Sequence, residues 1–378
     1  MSELSLLGSL AELPRAFDRE AAARGRDAWL ELAAAGPPAR AEFVRALAAD
    51  GRGAALLDAI FGNSPFLGQC LLHESDFAAE LLARPLDASV EALLGDLRQA
   101  AKAAQTAPEL MAPLRLARRR FALTVGLADI GGAWNAERVT AALSDFAEAA
   151  ISAAAARLLT DGARDGHFQL PHPEDPARGS GFILIGMGKL GARELNYSSD
   201  VDLLVLYAPI PGVHVGRRDV QETFVRMTRS LVRILQERTE DGYAFRVDLR
   251  LRPDPGATPV ALSTLAAENY YESLGQNWER AAMIKARPVA GDLDAGREFL
   301  ARLQPFSWRR NLDFAAIEDI HSIKRQIHTH KGHGAVAIHG HNIKLGRGGI
   351  REIEFFAQTQ QLIAGGRDPR LRGPRTCD

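Results

Sequence analysis

Two aspartates, Asp200 and Asp202, stand two residues apart at the head of the apolar run Val201 to Tyr207. On an extended chain successive side chains alternate faces, so this spacing sends both carboxylates to one side while Val201 and Leu203 take the other. Like charges held that close repel, and burying either one alone is costly. A divalent cation relieves both costs. Carboxylate oxygens suit Mg²⁺ or Mn²⁺, which keep several waters and bridge to phosphate oxygens. Taken alone, the pair is better read as an exposed strand end with two solvated acids.

A third acid comes from Ala244 to Arg252, where Phe245, Val247, Leu249 and Leu251 alternate with Arg246, Asp248, Arg250 and Arg252. One acid among three arginines on the polar face of a half-buried sheet suits a third metal carboxylate beside phosphate-binding cations, with Arg250 and Arg252 as the cations. A salt-bridged outer sheet face is the alternative. Just before the paired aspartates, Gly186, Gly188 and Gly191 form GxGxxG directly after an apolar strand. A dinucleotide fold would need an acid at the far end of the next strand, and there the chain reads Leu206, Tyr207, Ala208, Pro209. The glycines are therefore expected to let backbone N–H groups of Gly186 and Gly188 approach phosphate oxygens. Ser198 or Ser199 would add a hydroxyl, and Lys189 a point charge. Asp200, Asp202 and Asp248 are thus expected to be both catalytic and metal-binding in a two-metal nucleotidyl-transfer site, one ion orienting the attacking oxygen and the other neutralising the leaving phosphate.

The elements that must position these groups follow from the hydrophobic period. Up to about Asp161 the chain is rich in Ala, Leu, Arg and Glu, with apolar residues at three- and four-residue spacing, and breaks at Gly36-Pro37-Pro38, Gly51 to Gly53, Gly62 to Pro65 and Gly131-Gly132. This predicts an all-helical domain over 1–161. The run Arg115 to Arg120 lies within that pattern and is expected to form a solvated or interdomain helix face. Strands are predicted at Phe182 to Ile185, Val201 to Tyr207, Ala244 to Leu251 and near Val260, with an amphipathic helix from about Arg217 to Arg238. A small α/β catalytic domain over 162–290 results. The pattern is helical again from about Leu262, broken at Pro288 and Gly291, and ends in a helix at Ile350 to Ile363 within a third segment, 291–378.

Composition narrows the function classes. The 378 residues carry 46 Lys+Arg against 47 Asp+Glu, a formal charge of −1. A chain this balanced has no global field to hold nucleic acid or anionic lipid, so any polyanion site is local. Two cysteines, Cys70 and Cys377, make no disulfide framework or zinc site, which fits a reducing cytoplasm. The first residues lack signal-peptide order, and no apolar run approaches the ~20 residues needed to cross a bilayer. Neither nucleic acid nor membrane is expected as a partner. Arg367 to Asp378 show no capping or tail pattern, as expected of a fragment.

Three further clusters admit two readings each. Six of ten histidines fall at 321, 328, 330, 333, 339 and 341, yet no helical spacing repeats and the intervening glycines favour a loop over a metal site. Gly346 to Gly349 before a helix bearing Arg351, Glu352 and Glu354 can present N–H groups to an anion or serve tight packing. Trp278, Glu279, Arg280, Lys285 and Arg287 can hold phosphate or form an internal ion-pair network.

Four long motifs in order, GMGKLGARELNYSSDVDLLVLY, FRVDLRLRPDPGATPVALS, YYESLGQNWERAAMIKARPVAGD and IKLGRGGIREIEFFAQTQQLIAGGRDPRLR, resemble the bacterial bifunctional glutamine synthetase adenylyltransferase/adenylyl-removing enzymes. GNSPFLGQCLLHESDF at Gly62 to Phe77 resembles that family's N-terminal region. The resemblance covers nearly the whole chain and the N-terminal, adenylyl-removing half of the family. It implies an α+β, mostly α fold: a polymerase-β-type nucleotidyltransferase core with a small mixed sheet, flanked by helical domains. It further implies phosphorolysis, in which phosphate attacks the adenylyl-tyrosine bond of glutamine synthetase and ADP leaves, with Mg²⁺ or Mn²⁺ as cofactor. In the family a second half, absent here, adenylylates with ATP, and nitrogen status is signalled through the PII protein. By the resemblance Asp200 and Asp202 match the family's metal ligands, Asp248 its strand acid, and Gly186, Gly188 and Ser199 its glycine turn and preceding serine. The alternatives are the same fold acting on another acceptor, a small molecule or RNA end, and a non-catalytic fragment that grips glutamine synthetase. The histidine-rich KGHGAVAIHGH departs from the family pattern.

Overall fold

The computed structural model describes residues 5–10, 13–310 and 339–376. By their internal contacts the residues divide into two compact units, Met1–Ala153 with Glu237–Ala244, and Ala154–Gln236 with Phe245–Asp378.

The first unit is helical: α1 (Ser5–Ser9), α2 (Arg19–Ala35), α3 (Pro38–Ala49), α4 (Gly51–Asn63), α5 (Pro65–His73), α6 (Ser75–Ala83), α7 (Leu86–Ala103), α8 (Ala107–Ile130) and the start of α9 (Ala136–Arg164). The breaks fall where capping chemistry stands. Asp50 accepts from the Arg52 and Gly53 amides, Ser64 from that of Leu67 with Pro65 next in line, and Thr106 from that of Glu109. Trp29, Leu57, Leu81 and Leu123 fill the core between the helices.

The basic run in α8 is not a solvated face. Arg115 is buried, donating to the carbonyls of Met111 at 2.8 Å, Gly242 at 3.0 Å and Glu237. Arg119 pairs with Glu74 and Asp241, each at 3.0 Å, and Arg120 with the other oxygen of Glu74 at 2.9 Å. Arg118 lies 4.1 Å over the ring of Tyr243. Arg115, Arg118 and Arg119 thus donate to carbonyls of the 237–244 segment, which satisfies the buried Arg115 guanidinium.

α9 differs from the sequence expectation. It is 29 residues long, and an 18-residue window of mean hydropathy 1.2 makes it apolar enough by composition alone to cross a membrane. Alanine carries that hydropathy, and 56% of the window is buried inside the protein, with Ala147, Ala150, Ile151 and Ala154 in the core.

The second unit holds a mixed sheet of β1 (Phe182–Gly186), β2 (Val201–Tyr207), β3 (Val247–Asp248), β4 (Leu262–Ser263) and β5 (Arg287–Gly291). Its order is β3-β2-β1-β5, and the single turn α10 (Gly188–Gly191) follows β1. β1 runs antiparallel to β2 and β5, whereas β3 and β4 pair parallel to successive stretches of the other edge of β2. Every residue of β1 and all of β2 except Asp202 is buried, because both sheet faces are covered. On one side Phe224 of α11 (Val220–Gln236) stacks on Tyr207 at 4.9 Å and Phe182 at 5.6 Å. On the other, Ile183, Ile185, Leu204 and Leu206 meet Tyr271 of α12 (Thr264–Ser273) and Phe299 of α14 (Leu293–Arg302). The fold is α+β and mostly α, as expected.

Two elements differ from their predictions. The third strand is ladder-paired at only two of its eight expected residues. Beyond Asp248 the Arg250 amide turns back onto the aspartate carboxylate at 2.8 Å, and Arg252 gathers the carbonyls of Leu249, Pro255 and Thr258. Residues 287–291, expected as a helix break, form β5. Pro288 lacks a ladder donor and is accommodated at an edge, beside the register shift opposite Leu184/Ile185.

Candidate functional site

β2 and β3 bring the acids together. Their parallel register sets Val201 beside Val247 and Asp202 beside Asp248, while Asp200 precedes β2 by one residue. The amide of Val201 donates to the carbonyl of Arg246 at 2.9 Å, extending the junction. All three aspartates line one cavity of about 880 Å³, together with Gly188, Lys189 and Ser199. Burial pushes the Asp202 carboxyl up to about 6, and the neighbouring charges of Asp248 and Asp200 add to it; Arg351 and Arg250 pull the other way. Asp248 is held below the ordinary carboxylate range by Arg250, whose Nε donates to both its oxygens, at 3.0 and 2.9 Å. Asp200 accepts from Arg246 Nε at 2.5 Å, and the same guanidinium reaches the carbonyl of Ser198.

Among the described residues no three acidic, histidine or cysteine side chains form a ready-made metal site. In the acid cluster two carboxylates are turned to guanidinium partners instead.

The glycine turn approaches the acids as its residue types require. The Met187 amide donates to the Asp202 carbonyl at 2.9 Å, and Gly188 has a φ of +53°. A Cβ on Gly188 would sit 3.1 Å from Asp202 Oδ2, and one on Gly191 would sit 1.8 Å from the Lys285 carbonyl. Only glycine allows both close approaches. Ser198 also adopts a left-handed φ of +53°, a conformation that a β-carbon disfavours.

Not every expected residue reaches the cavity. Gly186 is buried at the end of β1, paired with Leu203, and Arg252 is engaged by the carbonyls of its own loop. Of the histidine-rich stretch, His321, His328, His330 and His333 lie outside the described residues; Cys377 does too. Cys70 is a free, buried thiol that burial pushes up to about 11.

Another wall of the cavity comes from α13 (Asn277–Met283) and the last helix, Ile350–Ala364. Arg351 and Lys344 bring positive charge to it, and Trp278, Phe355 and Leu362 bring apolar surface. The start of the last helix is occupied by its own side chain, since Glu352 accepts from the Gly348 amide. Lys285 is buried, its Nζ 3.0 Å from Glu194, 3.3 Å from Glu354 and 2.8 Å from the Thr376 hydroxyl. It is a clamp, so for Lys285 the ion-pair reading holds. Phe355 and Gln358 went unnoticed in the sequence; their spacing with Thr359 and Leu362 on one helical face is the signal that could have found them.

The family model for glutamate-ammonia ligase adenylyltransferase matches residues 54–302, and that for GlnD PII-uridylyltransferase matches 321–374. Curated relatives named bifunctional glutamine synthetase adenylyltransferase/adenylyl-removing enzyme include that of Mesorhizobium japonicum, 52% identical over 93% of this chain and 36% of the relative. That of Rhizobium meliloti is 54% identical over 93% of this chain and 35% of the relative. That of Bradyrhizobium diazoefficiens is 48% identical over 97% and 37% respectively. The chain thus spans about a third of the length of the curated relatives it matches. With two thirds of its residues inside the first of those family models, the chain belongs to the glutamate-ammonia ligase adenylyltransferase family.

Proposed function

We propose that this chain removes the adenylyl group from the modified tyrosine of glutamine synthetase by phosphorolysis. An oxygen of inorganic phosphate forms a bond to the adenylyl phosphorus, the bond from phosphorus to the tyrosine oxygen breaks, and ADP leaves. The phenolate takes a proton and the tyrosine is restored. The reading is supported above all by one observation: three carboxylates from β2 and its flanks share a single large cavity with Gly188 and Lys189. The relatives' names, which pair adenylyl transfer with adenylyl removal, supply the substrate; the direction rests on the resemblance to the removing half.

A divalent cation, Mg²⁺ or Mn²⁺, fits the residues present by their donor chemistry. Burial and two acidic neighbours leave Asp202 short of positive charge, and hard oxygen donors favour such an ion. Asp200, Asp202 and Asp248 would hold it once Arg246 and Arg250 release their oxygens, and Arg250 is exposed enough to do so. When bound, the ion supplies neutralisation of the phosphate charge. Lys189 and Arg351 orient phosphate oxygens from the side of the glycine turn and the last helix, and Arg250 balances the acids when no substrate is present. Regulation by PII belongs, on this reading, to the longer protein.

The experiment is direct. The chain is incubated with adenylylated glutamine synthetase, inorganic phosphate and Mg²⁺, and ADP is measured. ADP should accumulate with phosphate and metal both present, and Asp202→Ala should lower its rate by about 10³-fold or more, as expected when a charge-stabilising arrangement is lost. Full activity in that variant rejects the site. ADP absent from the intact chain rejects the reaction.

A further inference from the structure

Two kinds of surface line the cavity. The aspartates, Gly188 and Lys189 suit phosphates and cations, and Arg351 at the start of the last helix acts on Asp202. The facing parts of α13 and the last helix form a largely apolar wall. Trp278 and Ala281 line it from α13, and Phe355, Gln358, Thr359 and Leu362 line it from one face of the last helix. Ala281, Phe355 and Leu362 pack with Ile284 into a small core, so the two helices make one continuous wall. Trp278 nonetheless keeps 39% of its surface exposed, which is much for a large indole beside a core. Lys285 beside this wall is saturated by Glu194, Glu354 and Thr376, and Arg351, a turn before Phe355, acts on Asp202. The Thr359 hydroxyl is spent too, donating to the Phe355 carbonyl at 2.7 Å. Gln358 therefore brings an amide, donor and acceptor together, into apolar surroundings.

We propose that this wall is the nucleobase subsite, with Trp278 stacking on a purine and Gln358 reading the amino-bearing edge of adenine. The inference rests on the nucleotide reading above and goes beyond it, because nothing in that reaction specifies where the base lies. A flat ring with a polar edge is the part of a nucleotide that an aromatic face and an amide recognise, and carboxamides pair bidentately with adenine. The cavity falls within the 300–1,000 Å³ usual for ligand sites of this kind.

Binding, not turnover, tests it. Calorimetric titration with ADP and Mg²⁺, and separately with inorganic pyrophosphate and Mg²⁺, separates base recognition from phosphate binding. Trp278→Ala should weaken ADP about tenfold or more and leave pyrophosphate unchanged, and Trp278→Phe should retain most of the ADP affinity. ADP should quench indole emission in the native chain and not in Trp278→Phe. Gln358→Leu should narrow the preference for ADP over IDP. Equal ADP binding in the native chain and Trp278→Ala overturns the subsite while leaving the proposed reaction standing, as does a Trp278→Phe variant that loses as much as the alanine. Unchanged ADP binding with a raised KM for adenylylated glutamine synthetase would give the wall to the tyrosine ring and also overturn it. A native chain that binds neither ADP nor pyrophosphate overturns both readings.

Discussion

At the scale of residues, the acid cluster stores electrostatic strain that a measurement can release. With its pKa raised to about 6, the Asp202 carboxyl binds a proton more tightly in the folded than in the unfolded chain, where it titrates near 3.8. The folded state therefore pays nothing below pH 4, loses stability as pH rises through this window, and carries the full penalty above 6. Asp202→Asn should stabilise the fold by roughly 1–2 kcal/mol at pH 7.5, once solvent screening is allowed for, and by almost nothing at pH 4. Urea titrations at the two pH values check this, and equal shifts at both would contradict it. Mg²⁺ should likewise stabilise the native chain more than the variant. The acids were legible in the sequence because period two and like charge are local facts. Their arginine partners were only half legible. Asp248 to Arg250 is a two-residue neighbour, but Asp200 to Arg246 spans 46 positions, and only strand pairing brings those together.

At the scale of elements, the last helix is held against the sheet domain by Lys285, which reaches two carboxylates and a hydroxyl from inside the protein. Removing one side of a buried charge network leaves the other uncompensated. Lys285→Met should cost about 2–4 kcal/mol, and Glu354→Gln less, because its carboxylate is the longer contact and keeps some solvent. Thermal or urea unfolding of both variants decides the order; a harmless Lys285→Met would deny the clamp. β1, β2 and α11 were readable because unbroken apolar runs and a one-sided apolar stripe have few other solutions. β5 was not, because proline and glycine punctuate a local pattern and nothing local shows that an edge strand can place its missing donor outward. The third strand was overextended for the opposite reason. Its alternation continues through Leu251, but the Arg250 amide turns back onto the Asp248 carboxylate and Arg252 gathers loop carbonyls, which bends the chain away from the ladder.

At the scale of the whole molecule, the helical unit is not a continuous stretch of sequence, since it includes Glu237–Ala244. A fragment ending at residue 153 would keep Arg115 but lose the carbonyls of Gly242 and Glu237, stranding a buried guanidinium. Such a fragment should melt well below the same helices in the intact chain, by about 2–4 kcal/mol of lost stability, and Arg115→Met within the fragment should recover part of it. Circular dichroism melts of the three proteins give the answer, and an unaffected fragment would deny the role of the segment. The basic run that invited a surface reading is explained here, and sequence could not have shown it, because the acceptors are backbone atoms of a turn far along the chain.

That arrangement also bears on how the protein is made. The Arg115 guanidinium waits for a carbonyl 127 positions downstream, beyond two strands and two helices of the sheet domain. Closing a loop of that length is entropically slow compared with local helix formation. During synthesis from the N-terminus the early helices therefore emerge long before their last piece leaves the ribosome. Completion of the first unit is timed by translation of the second, so a pause after residue 153 would leave an immature bundle exposed to chaperones and proteases, whereas a pause once residue 244 has emerged would not.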